Sequence, residues 1–239
     1  MFRDKKVSDS DKFHRSCDIT NQRANNIIKR SDSLHSSVEI LIMKYVRGDP
    51  YDDLRQHFLY MIETALILKE ACIDTGSNYP NYKYYTVELY IFIAFAYALK
   101  IDDMHWNILT NDIFTAENDW ILDKLIECKD PNRKIADYQL AHRFSNSGYL
   151  TVLYSAINAK GDERILLIKK HLKLWHSKRN NSYFRKSIGY GSEPDTNFYI
   201  GQFAFEVAAV VMAFDIDDTE FKEDIYYPKE LVDHWRKNK

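Results

Sequence analysis

Three observations predict an all-α fold, a multi-helix bundle. Glycine (7) and proline (5) make up roughly 5% of the 239 residues, against an average near 12%, so turns are few and the chain runs in long elements. Apolar residues recur at spacings of three and four, and no stretch shows the period-two alternation of a strand. Apolar side chains are 45% of the chain, and Tyr, Phe and Trp number 17, 13 and 4. That is ample for a core and excludes intrinsic disorder. The length suits one large domain or two small ones.

Residues 1 to about 30 are polar and read as a frayed arm or a short amphipathic helix. Ser31-Asp32-Ser33 offers N-caps for a helix through Val38, Leu41, Ile42 and Tyr45, with Gly48 as its C′ residue. Asp49-Pro50 restarts the chain as an N-cap with proline at N1. The next helix carries Leu54, Phe58, Met61, Ile62, Ala65, Leu66 and Leu68 and ends near Thr75-Gly76. After the Tyr79-Pro80 break, Tyr82 to Ile101 forms a third helix, apolar all round between Glu88 and Leu99, the mark of an enclosed element. Further helices are predicted for Glu117 to Cys128, closed by Asp130-Pro131, then Tyr149 to Ala159 and a helix starting at Gly161-Asp162 that carries Ile165, Leu166, Ile168, Leu172 and Trp175. Gly189, Gly191 and Pro194 mark the one loop-rich stretch. Helices from about Asn197 to Phe214 and from Pro228 to about Lys237 complete the reading.

The start, Met1-Phe2-Arg3-Asp4-Lys5-Lys6, has no apolar stretch behind its charges, unlike a secretory signal. The longest uncharged apolar run, Leu89 to Leu99, is eleven residues, where a membrane span needs about 20. Cys17, Cys72 and Cys128 form no CxxC and no zinc framework. A cytoplasmic protein with reduced thiols, no membrane association and no cofactor is expected. The net charge of −2 argues against direct nucleic-acid binding.

That total hides an uneven distribution. Lys160 to Lys186 holds nine basic and two acidic residues, a net +7. Glu206 to Asp224 holds seven acidic residues against Lys222, a net −6. The acidic stretch has two readings: it steers a positively charged protein, or it pairs internally with the basic one. Glu206 is the only charge between Tyr199 and Phe214. A buried carboxylate needs a partner, so it reads as a structural buried charge paired with a basic residue of the 160–186 stretch, or as an anchor for a basic partner.

Catalytic signatures are sparse. There is no HExxH, GxSxG, Walker A or GxGxxG, and no local Cys-His signature. The pairs Asp102-Asp103 and Asp217-Asp218 carry the one enzymatic alternative, a metal-dependent helical hydrolase or diphosphate-handling enzyme. Such enzymes place a third Asp two residues on, and here His105, Trp106, Glu220 and Phe221 stand at the matching positions. Capping of the next helix is the other use of such a pair. The two pairs also close an internal echo: Tyr90 to Asp103 lies over Phe205 to Asp218 at an offset of 115 residues. It reads either as two related helical halves or as chance likeness between apolar helices.

The C-terminal hundred residues hold Gly201-Gln202-Phe203-Ala204-Phe205-Glu206-Val207-Ala208-Ala209-Val210, then Ile216-Asp217-Asp218, then Tyr226-Tyr227-Pro228-Lys229-Glu230-Leu231. In these motifs they resemble the PoNi immunity proteins, cognate to PoNe nuclease toxins. Gln202 and Phe203 stand where aromatic residues including Trp are usual. The resemblance implies a non-enzymatic antidote that binds a DNase toxin and blocks its active or DNA-binding surface, with an N-terminal helical region over 1–135 and a C-terminal one over 136–239. Acidic side chains would occupy the nuclease's phosphate-binding surface, with tyrosines supplying hot-spot contacts. Toxin binding is expected at Asp217, Asp218, Glu220, Glu223, Tyr226 and Tyr227, with no catalytic and no metal residues. Oligomeric state stays open.

Overall fold

The computed structural model describes residues 33–74, 86–117, 119–137, 148–179 and 203–239. The expectations for the N-terminal arm, Cys17, the Tyr79-Pro80 break and the Gly189–Pro194 loop lie outside these, whereas the helix expected from about Asn197 begins only at Phe205, because Phe203 and Ala204 are non-helical and the Ala204 N–H is taken by the Tyr226 carbonyl. The described residues are helical and contain no strand, as the composition predicts.

Helix α1 (33–47) ends as its sequence foretells. Gly48 takes φ +77°, the Asp49 N–H reaches back to the Lys44 carbonyl and the Gly48 N–H to that of Tyr45. This is the paired closure of a Schellman motif, for which glycine carries no Cβ penalty. Helix α2 (Tyr51–Asp74) starts at once, but Asp49 does not cap it. Arg47 and Lys44 hold the Asp49 carboxylate. The Pro50 carbonyl takes the Asp53 and Leu54 N–H groups, so proline sits one position earlier than N1. Leu54, Phe58, Met61, Ile62, Ala65, Leu68 and Cys72 form the buried face of α2.

Helix α3 (Thr86–Ala98) is buried on every side from Tyr90 onward. Its counterpart is α8 (Phe205–Phe214), buried from Phe205 to Met212. The two pack on each other, with the Phe95 and Phe205 ring centroids 5.4 Å apart, and together they form the centre of the molecule. Tyr45 from α1 meets both rings edge-on, while α9 (Lys229–Lys237) and α5 (Trp120–Glu127) flank the pair. Between α5 and α8, α6 (Gly148–Asn158) and α7 (Gly161–Arg179) form an antiparallel hairpin. Arg164 of α7 covers the carbonyls of Ala156, Ile157 and Ala159, placing a cation where the α6 dipole is negative.

The structure adds a helix that periodicity did not reveal. Asp103–Asn107 (α4) widens into a π-helix over Ile108–Ile113. Its polar residues Asn107, Asn111 and Asp112 interrupt the apolar pattern, and long-range bonds compensate. Arg133 donates to the Thr110 and Phe114 carbonyls and, through Nε, to Asp123 Oδ1 at 2.8 Å. Asp123 Oδ2 takes the N–H groups of Glu117 and Ala136. A fully buried ion pair therefore ties the π-helix, α5 and the loop after it. Asp119 caps α5 through Leu122 N–H and accepts the Tyr90 hydroxyl at 3.0 Å, joining α5 to α3.

The 115-residue echo extends to local geometry. Lys100 after α3 and Asp215 after α8 both adopt the left-handed conformation, φ 45° and 49°, which is unfavourable for non-glycine residues. Ile101 and Ile216 then turn into the core. Asp102 accepts from His105 N–H and Asp217 from Thr219 N–H. The aromatic residues three positions past each pair, Trp106 and Phe221, are both buried. The second aspartates diverge: Asp103 is exposed and Asp218 is buried.

Candidate functional site

The expected site residues lie in the segment from Asp215 to Pro228, which leaves the C-terminus of α8 and returns to start α9. It is fastened from below by two buried side chains and the half-buried Arg236. Asp218 is 3% exposed and Tyr227 2%. Asp218 Oδ2 takes the Tyr227 hydroxyl at 2.8 Å, and Oδ1 takes Arg236 Nη1 at 2.6 Å. Arg236 Nη2 also donates to the Ile216 carbonyl at 2.9 Å. Burial and the Asp218 carboxylate push the Tyr227 phenol far above its ordinary value, so it stays a hydrogen-bond donor. Phe221 meets the Tyr227 ring edge-on at 5.2 Å.

These contacts divide the expected site in two. Asp218 and Tyr227 face inward and hold the segment in shape. Asp217, Glu220 and Glu223 face solvent, and Tyr226 is half-buried, its ring 5.3 Å from Trp175 of α7. Asp217 closes a small turn by accepting Thr219 N–H and Oγ1, bonds that hold its carboxyl below the usual Asp range. Glu206 is not on this surface. It is buried in α8 with Oε1 3.2 Å from His171 Nε2 of α7, inside the basic stretch that its burial required as a source of partner.

The acidic excess is largely matched by the chain's own cations. Lys169 pairs with Glu220 at 3.1 Å, Lys229 with Glu223 at 2.7 Å, Lys222 with Asp233 at 2.6 Å and Lys239 with Asp215 at 2.5 Å. A tally from Glu206 to Asp224 stops short of Lys229, Arg236, Lys237 and Lys239. Over 215–239 there are eight acidic residues to five basic, a smaller excess. The Lys169–Glu220 bridge also joins the basic stretch to the acidic one. Pairing with the basic stretch was one of the two readings of the sequence, but Lys229, Lys239 and Arg236 were missed as partners, although a cation in the last turn of a C-terminal helix was the available signal for Arg236.

The Asp-Asp pairs are likewise engaged. Asp102 takes the His105 amide and Nδ1 and lies 3.6 Å from Arg55, while Asp218 is committed to Tyr227 and Arg236. Among the described residues, no three His, Cys, Asp or Glu side chains converge as a metal site would require. No helix there is long and apolar enough to cross a membrane.

The described residues thus form helices that end in a stapled, charged C-terminal corner. Residues 117–231, which run from the approach to α5 through the corner to the first turn of α9, match the family model described as PoNe immunity proteins (PoNi), C-terminal. The similarity to that family covers just under half of the chain. No curated protein and no solved structure matches the chain.

Proposed function

We propose that the chain is an immunity protein, without catalytic activity of its own, that binds a cognate PoNe-type DNase toxin in the cytoplasm and blocks its active or DNA-binding surface. The observation that carries this reading is the family match over 117–231, which includes every residue of the corner except those after Leu231. The binding face is formed by Asp217, Glu220, Glu223 and Tyr226. Asp218 and Tyr227 act one layer below, holding the loop, and Glu206 with His171 keeps α8 against α7.

The ion pairs on this face support exchange with a basic partner. Lys169–Glu220 and Lys229–Glu223 are solvent-exposed, and such screened surface pairs contribute little to stability. A nuclease presenting arginines and lysines for phosphates can displace Lys169 and Lys229 at small cost, and the freed carboxylates then stand where phosphates would. Co-expression with its cognate PoNe-type nuclease toxin tests the reading. Cells carrying the toxin survive with this chain and die without it; death in both cases refutes the function.

A further inference from the structure

Ile225 has the highest exposure, 77%, of the large apolar side chains exposed among the described residues. A single exposed apolar residue ordinarily needs no explanation, but this one is held out by a rigid device. The Asp224 carbonyl takes the Tyr227 N–H at 3.0 Å, and Asp224 Oδ1 takes the Tyr226 N–H at 3.0 Å. Ile225 and Tyr226 thus occupy the two central positions of a β-turn reinforced by the Asp224 side chain. Tyr226 is fixed by its ring on Trp175 and by its carbonyl, which takes the Ala204 N–H at 2.7 Å. Tyr227 is fixed by Phe221 and Asp218.

Central turn positions favour Gly, Pro, Asn, Asp and Ser, and a β-branched side chain in water contributes nothing to the core. What it offers is a stiff apolar tip on an ordered backbone, which loses little freedom when it is buried by a partner. Glu223 and Asp224 precede it directly, and Asp217 and Glu220 lie on the same segment. The geometry points to Ile225 as the apolar anchor of the binding face, entering an apolar pocket rimmed by basic side chains on the toxin, and to the fit of that pocket as the determinant of which toxin is recognised. This rests on the proposed function and adds to it a residue and the chemistry of its receptor site.

The test is calorimetric titration of the full chain and its variants with a catalytically inactive form of its cognate PoNe-type nuclease domain. Ile225→Ala weakens binding about tenfold to a hundredfold, Ile225→Asp weakens it further, and Ile225→Val stays within about fourfold of wild type, all with unchanged melting temperatures. Wild-type binding accompanied by Ala and Asp variants within about threefold of it overturns the anchor alone. A loss of affinity that tracks a fall in melting temperature overturns it too, because Ile225 would then belong to the fold. Absence of wild-type binding overturns the proposed function, and the anchor with it.

Discussion

Tyr227→Phe separates framework from binding face within the acidic corner. The substitution keeps the ring, its place in the core and its edge-on contact with Phe221, and removes only the hydroxyl that donates to Asp218 at 2.8 Å. A hydrogen bond to a charged group contributes about 1.5–3 kcal/mol. Asp218 retains Arg236 at 2.6 Å, which places the loss at the lower end, about 1.5–2 kcal/mol. For a chain of this length each kcal/mol moves Tm by roughly 2–4 °C, so Tm falls by about 3–8 °C and the urea midpoint falls with no change in slope. Toxin affinity, measured below the melting transition, stays within about threefold of wild type, since the hydroxyl is covered. An unchanged Tm together with an affinity loss above about tenfold would refute the reasoning, because Tyr227 would then have to reach the partner directly.

Three further outcomes follow from the same structure. Arg133→Ala strands the fully buried Asp123 carboxylate and the Thr110 and Phe114 carbonyls, so urea denaturation reads a loss of about 3–5 kcal/mol, and Arg133→Lys does not restore it because an ammonium cannot serve the three directions of the guanidinium fork. His234 stacks on Tyr51 with centroids 3.5 Å apart, and burial, followed by Lys237, holds its pKa below the ordinary 6.5. The unfolded chain therefore binds the proton more readily, and stability is lost as pH falls from 6.5 through the lower folded value; urea midpoints at pH 7.5, 6.5 and 5.5 show this slope in wild type, and His234→Phe reduces it. The double charge reversal Asp217→Lys with Glu220→Lys slows toxin association about tenfold at low salt, an effect that shrinks as ionic strength rises; stopped-flow rates that do not change would place the interface elsewhere.

Much of the fold was legible because its signals are local. Gly48 ends α1 through its own φ, and the run Tyr90–Leu99 can only be central because no face of it is polar. The shared Ile-Asp-Asp endings marked two corners that share their backbone geometry. The stretch 103–113 escaped because its order comes from Arg133, twenty residues away, and because a π-helix does not follow the 3.6-residue period. Asp49 had the correct residue type for a cap, yet a neighbouring arginine claimed it. At the candidate site the residues Asp217 to Tyr227 were found as a cluster, but their division into inward and outward members was not. Asp217 and Asp218 are adjacent and chemically identical. Only the position of Arg236 and the Tyr227 hydroxyl decides which of them is buried.

By itself, the sequence determined the helical class, several helix ends, the central helices and the likeness of residues 117–231 to the PoNi family, since periodicity, breakers and motif spacing are properties of the chain read in order. The tertiary structure alone decided which polar side chains meet: Lys169 with Glu220, Lys229 with Glu223, His171 with Glu206 and Arg133 with Asp123. It also decided that Ile225, unremarkable in the sequence, stands at the tip of the corner. Electrostatic and packing partners are chosen by distance in space, and the linear order of residues does not contain that distance.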